Sequence, residues 1–355
     1  MMPKPGNTRR AFLLQAGIGA ALLGAQEPQN IVVPQALPPI KPNASRSTVS
    51  LVTGDNRRRM IREALVALDP KLRTAISHKK YVLIKANLTS VTNQLASTHP
   101  EMLCGIMDYL APWFKGPVVI AEAASGDTQT GFDNFGYAKV VSEFKTRRMS
   151  LICLNEEQKF VTMGMASRTL YVNSVRMAAR LFDKDAFQVS ATSLKTHDSV
   201  VATLSLKNMA QGAPLHAPRN VTPGWDDKRR LHDGDSHHMN YNLMRMAQTL
   251  SPYWGVGLID GYDGMEGDGP LNGTAVPSRV ALASLDHVAA DRVGVELMGI
   301  NPQWMGYLRF SEQMGLGNYD LAKIDVIGEK IDKFKRTYKL HRSIQRQLQW
   351  LGPLA

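Results

Sequence analysis

From about residue 50 onward, short apolar runs alternate with amphipathic stretches. That alternation predicts an α/β fold, a mostly parallel sheet flanked by helices. Tyr81–Ile84, Pro117–Ala121, Ser150–Leu154, Phe187–Ala191 and Gly255–Ile259 read as strands, and Arg279–Ser284 and Ile324–Ile327 add two more. Met60, Ile61, Ala64, Leu65 and Leu68 recur at helical spacing. A helix is expected to run from Thr98 to about Leu110, with Thr98 as its N-cap, Pro100 in the first turn and Glu101 three residues after the cap. Residues 211–242 are dense in Pro, Gly, His and Asp and show neither period, so a long irregular insertion is expected there. Residues 50–329 then make one α/β domain, with a basic C-terminal helix and tail over 330–355. No internal repeat is present.

The N-terminus breaks the pattern. Thr8-Arg9-Arg10-Ala11-Phe12-Leu13-Leu14 leads into a weakly apolar, Gly- and Ala-rich run ending at Leu23. Residues 1–25 resemble a twin-arginine signal. That resemblance implies a periplasmic or exported protein and the twin-arginine translocase as a partner, a route taken by proteins that fold first, often around a cofactor. Leu23-Gly24-Ala25 is a poor cleavage site, so retention of the signal as an anchor stays open. Residues 26–49, with Pro28, Pro34, Pro38, Pro39 and Pro42, read as an extended linker. No later run holds the roughly 18 apolar residues that a membrane-spanning helix needs.

Composition narrows the classes. At 355 residues and 44% apolar, the chain is long enough to bury a large core. Its net charge of +11 invites a nucleic-acid reading, but residues 1–10 carry +3 and residues 330–347 carry +6, which leaves the body at +2. With no aromatic stacking array interleaved among those charges, no nucleic-acid partner is expected. The two cysteines, Cys104 and Cys153, lack C-x-x-C spacing, so no iron–sulfur cluster or cysteine zinc site is expected, and both read as buried free thiols.

Candidate chemistry gathers past the C-terminal ends of the strands, the edge where open α/β sheets bind ligands. Lys85, Lys195 and Lys207 lie at or near strand ends, and a buried ammonium must be paired. Glu122, Asp260 and Glu266 are the candidate partners. Two readings stay open: a structural Lys–Glu network, or a pocket for a carboxylate or phosphate, with Asn87, Ser125 and Asn208 among its binding residues. His197 follows Lys195 and is either a general acid or base or a structural histidine. His216 and His232, near His237, His238, Asp233 and Asp235, form a candidate metal cluster, although the spacing fits no standard zinc pattern. Ser125-Gly126 lacks G-x-S-x-G, which removes serine-hydrolase chemistry. Gly261, Gly264, Gly267 and Gly269 form either an anion-approaching loop or a plain tight turn. Asp286 and Asp291 read as acids at a helix start. Two functional classes follow. One is an exported enzyme acting on a small anionic molecule, with His197, Glu266 and Lys195 as catalytic groups. The other is a non-catalytic exported protein holding a ligand or metal in the same crevice.

Several segments together resemble the family known as domain of unknown function 362. They are Val82–Asn87, Thr98–Glu101, Ile120–Gly126, Phe135–Tyr137, Leu194–His197, Thr203–Met209, Ile259–Gly261, Gly264–Pro270, Asp286 with Asp291, and Gly315–Gly317. Some members carry ferredoxin-type clusters, for which this chain lacks the cysteines. The family also bears a likeness to nickel-pincer lactate racemases, which use a His and, ten residues later, a Lys that tethers the cofactor. His197 and Lys207 have that spacing, without the Gly-rich run between them.

Overall fold

The computed structural model describes residues 45–352 apart from 146–147, 168, 170, 219–220, 223 and 233–234. The expected export signal and nearly all of the linker lie outside the described residues. The linker gives way earlier than expected, because the first strand, β1, spans Ser47–Thr53. The others are β2 (Tyr81–Lys85), β3 (Val118–Glu122), β4 (Met149–Cys153), β5 (Phe160–Ala166), β6 (Val172–Ala178), β7 (Ala186–Thr196), β8 (Ala202–Thr203), β9 (Trp254–Glu266), β10 (Thr274–Val276), β11 (Val280–Ser284) and β12 (Ile324–Gly328). The main sheet runs β12-β1-β11-β9-β7-β2-β3-β4. β9, β7, β2, β3 and β4 are mutually parallel, while β11 lies antiparallel between β9 and β1. β8 and β10 extend the sheet at β7 and β9, and β5 and β6 form a separate hairpin.

Side-chain alternation sorts the strands onto two cores. Val82, Ile84, Val118, Ile120, Val189 and Leu258 meet the apolar residues of α1 (Arg57–Val66), α2 (Asp69–Ser77), α3 (Pro100–Leu110), α4 (Thr128–Asn134) and α5 (Tyr137–Glu143). Leu83, Val119, Ala121, Ile259 and Leu282 face α6 (Ser205–Ala210), α7 (Asp227–His232), α8 (Ser236–Leu250), α9 (His287–Leu297) and α10 (Gly306–Gln313). Cover on both faces is why the strands read as unbroken apolar runs.

Three expectations need correction. Thr98 does not cap α3: His99 Nδ1 accepts from Glu101 N instead, and Thr98 Oγ1 accepts from Asn87 N at 2.8 Å while donating to Ala191 O at 2.7 Å. Those two bonds tie the loop after β2 to β7. The stretch 211–242 is irregular only in its first half, because α7 and α8 occupy much of the rest and Asp235 caps α8 by accepting from His238 N. The basic C-terminal helix is replaced by two single turns, α11 (Ile331–Phe334) and α12 (Ile344–Gln347), around an extended strap. Arg336 N and Tyr338 N donate to Leu297 O and Met298 O, and Gly267 N donates to Lys339 O. Backbone groups paired to the body in this way are not free to close helical turns.

One contact between helices fixes the element that carries Lys207. Asp291, buried inside α9, accepts from Ser205 N at 2.8 Å and Leu206 N at 3.0 Å, the first two amides of α6. Asp286 caps α9, as expected of an acid at a helix start, but Asp291 serves the neighbouring helix. Asp291→Ala orphans two buried amides, and a loss of roughly 2–4 kcal/mol in urea-measured unfolding free energy is expected. A loss within experimental error would rule out this capping role.

Candidate functional site

The C-terminal ends of β2, β3 and β7 open into a cavity of about 460 Å³. Asn87, Glu122, Ser125, His197, Lys207 and Asn208, all expected from the sequence, line it. Thr89, Asp198, Thr203, Gln211, Asp226, Lys228, Arg229 and His232 complete its polar wall, with Leu88, Ala123, Pro270 and Leu271 as apolar surface.

Its lining sets three acids, Glu122, Asp198 and Asp226, against Lys207, Lys228 and Arg229. Lys85, Lys195, Lys207 and Lys228 are all buried around one buried carboxylate, Glu122. Lys85 is fully satisfied: Nζ donates to Glu122 Oε1 at 2.8 Å, Oε2 at 2.9 Å and Ala86 O at 2.7 Å. Glu122 in turn accepts from Ala123 N and Leu88 N, so this pair is a closed unit at the sheet edge. Lys195 donates to three neutral acceptors, Asn87 Oδ1, Thr89 Oγ1 and Ala96 O, at 2.6–2.8 Å. It pins the loop after β2 and does not line the cavity. Burial, aided by the charges of Lys207 and Lys85, pulls its pKa down to about 7.

The remaining two ammonium groups face the cavity. Lys228 has only a long bond of 3.4 Å to Gln211 O. Lys207, 5% exposed, has no hydrogen bond to any described residue, and the charge of Asp198 offsets its burial only in part. Burial lowers both to about 8. Asn208 locks the helix turn that presents Lys207, donating from Nδ2 to Lys85 O and Ser190 Oγ while its Oδ1 accepts from Asn87 Nδ2. Gly212 is required here, since a Cβ would stand 2.7 Å from Lys85 Nζ and closer still to Asn208 O.

Two imidazoles complete the wall, their ring centroids 6.4 Å apart. Burial and then the Lys207 charge hold His197 well below the ordinary imidazole range and His232 down at about 4, so both are neutral. His197 Nδ1 lies 3.0 Å from both Ser199 N and Asp198 Oδ1. A backbone N–H can only donate, so Nδ1 accepts and the ring proton sits on Nε2. In His232, Nδ1 donates to Lys228 O at 2.8 Å, which leaves Nε2 with its lone pair. The pair therefore offers one donor and one acceptor to the same cavity.

Other expected site residues lie elsewhere. Asp260 shares its strand face with Leu258, toward α1, where it forms an ion pair with Arg57 at 3.0 Å. Glu266, at the far end of β9, accepts from Lys339 N and anchors the C-terminal strap. Neither belongs to the cavity, and with Lys195 walled off, only His197 of the three expected catalytic groups lines it. Of the expected metal cluster, Asp233 lies outside the described residues. His216 Nδ1 is engaged by Ala217 O, and its Nε2 by Asn155 and Ala124 O. Among the described residues no three His, Cys, Asp or Glu side chains converge to hold a metal ion. Lys228 went unread because it sits in the charged run Asp226–Arg230; its i,i+4 spacing to His232 on one helix face is the signal that sequence offers.

These features define an α/β protein with a polar, lysine-bearing crevice at the C-terminal edge of its parallel strands. Residues 82–296 match the family described as Domain of unknown function (DUF362), and the chain belongs to that family. The matched segment contains every residue that lines the cavity. No curated protein and no solved structure matches the chain.

The lysine shifts have a stability consequence. Their folded pKa values of about 7 and 8 lie below the ordinary 10.5, so in that window the unfolded chain binds more protons than the folded one. Stability contributed by these groups therefore rises with pH from about 7 toward about 10. The thermal midpoint in an uncharged-ligand buffer is expected to climb across this range, and to climb less in a Lys207→Met, Lys228→Met double variant. Equal slopes in both proteins would contradict the assignment.

Proposed function

We propose that the cavity binds a small organic anion bearing a carboxylate or phosphate group. The observation that carries this reading is Lys207, a buried ammonium that lines the cavity and has no hydrogen-bond partner among the described residues. Burying a charge is costly, and an anion entering the cavity supplies the hydrogen-bond partner that Lys207 lacks, where Asp198 contributes only its field. Lys228 and Arg229 add positive charge, and the His197 Nε2–H is a neutral donor. The volume suits a small molecule. The opposed polarity of His197 and His232 favours proton transfer on the bound molecule over simple storage, so acid–base chemistry is the reading preferred to a non-catalytic binding protein.

Calorimetric titration of the full chain with acetate, propionate, pyruvate and inorganic phosphate tests this. At least one should bind, and Lys207→Met and Lys228→Met should each weaken that binding by about tenfold or more, equivalent to roughly 1.4 kcal/mol. Binding that is absent for all four, or indifferent to both substitutions, would remove the reading.

We also propose that the protein is exported through the twin-arginine route, on the strength of Arg9-Arg10 before the apolar run to Leu23. Replacing both arginines by lysine should retain the protein in the cytoplasm in a fractionation assay. Unchanged export would exclude that route.

A further inference from the structure

We propose that Lys207 is a carbonyl-reactive amine, condensing with the oxo group of a small oxo-carboxylate held in the cavity. The inference rests on the anion-binding reading and goes beyond it by naming the substrate class and a covalent step. Of the four buried lysines, only Lys207 combines access to the cavity with freedom from hydrogen-bond acceptors among the described residues. Lys85 is clamped by a carboxylate, Lys195 lies behind the cavity wall and donates to three oxygens, and Lys228 has one long contact of 3.4 Å to Gln211 O. An amine attacks through its lone pair, so an acceptor that holds its protons suppresses the reaction. Burial does the opposite, and the charge of Asp198 offsets it only in part. With its pKa at about 8, Lys207 carries a useful fraction of neutral amine near neutral pH. Lys228 and Arg229 remain to hold the substrate carboxylate.

The two imidazoles supply what the condensation needs. The Lys207 nitrogen lone pair attacks the carbonyl carbon, and the C=O π pair collects on oxygen, where His197 Nε2–H donates a hydrogen bond. His232 Nε2 takes one proton from the nitrogen and passes it to that oxygen, giving a carbinolamine. The C–O bond then breaks as the nitrogen lone pair closes the C=N bond, and the departing hydroxide takes the second nitrogen proton by the same relay. Amine plus carbonyl become imine plus water, with no oxidant or reductant.

Incubating the full chain with pyruvate and sodium cyanoborohydride converts any imine into a stable amine that peptide mass spectrometry can locate. The expected result is one saturable adduct on Lys207, formed about tenfold or more faster than on surface lysines, slowed by propionate and accelerating with pH up to about 8. Lys207→Arg, which keeps the charge and loses the nucleophile, should abolish it. Lys207→Met, checked for folding by circular dichroism, serves as a second variant. If pyruvate binds by calorimetry yet Lys207 is not modified, or is modified no faster than surface lysines, the imine proposal is overturned while the anion site stands. If neither pyruvate nor the other anions bind, the anion reading fails and this proposal fails with it.

Discussion

Burying four ammonium groups around a single carboxylate is the constraint from which the rest of this site follows. Each such group costs several kcal/mol to desolvate, so each must find compensation nearby. Compensation falls off in order from the sheet toward the cavity. Lys85 has a carboxylate and a carbonyl, Lys195 three neutral oxygens, Lys228 one long contact and Lys207 no hydrogen bond among the described residues. The inner two are structural, because they close the strand ends and tie down the loop that follows β2. The outer two face the cavity with only the fields of Asp198, Asp226 and Glu122 to offset their burial, and that incomplete pairing gives the cavity its chemical character.

The scaffold holds this arrangement with neutral and acidic groups that do not touch the cavity charge. Asp291 receives the start of α6, Asn208 ties that helix to β2 and β7, and Gly212 lets the chain pass directly over Lys85. Thr98 and Lys195 fix the loop after β2 from two sides. Lys207 is therefore presented by a helix of one and a half turns whose position is set at both ends. Such a helix is too short to be stable by itself, so its geometry depends on those contacts.

Sequence pattern made the parallel strands and their charged ends legible, because strands covered on both faces leave unbroken apolar runs. It could not resolve which face a charged residue takes at a strand end. Lys85 and Asp260 look alike on that test, yet strand parity sends Asp260 with Leu258 to the side of α1. The extent of β9 was also hidden: its glycines at 261 and 264 read as loop, whereas Gly264 is extended strand against Tyr338, where a side chain would collide with the phenol oxygen. The strap that carries Tyr338 left no periodic signal, since its bonds are made by backbone to distant segments. The β5–β6 hairpin buries little beyond Met163, Met165, Val175 and Met177, too weak an alternation to stand out. Lys207 and His197 were legible as candidates, but their pairing with Lys228 and His232 is a product of tertiary placement.

The two histidines show why the cavity's charge and its proton chemistry are one property. His197 and His232 are held neutral by burial and by the Lys207 ammonium, with Lys228 adding to the effect on His232. A bound carboxylate beside those lysines opposes the second cause and leaves the first. It therefore raises the proton affinity of both imidazoles and of Lys207 together. Proton uptake on binding follows from this coupling, and it is strongest where the uncompensated charge is greatest. On the proposed reading, the stability that the folded chain forgoes here is what lets an arriving anion meet groups whose protonation it can change.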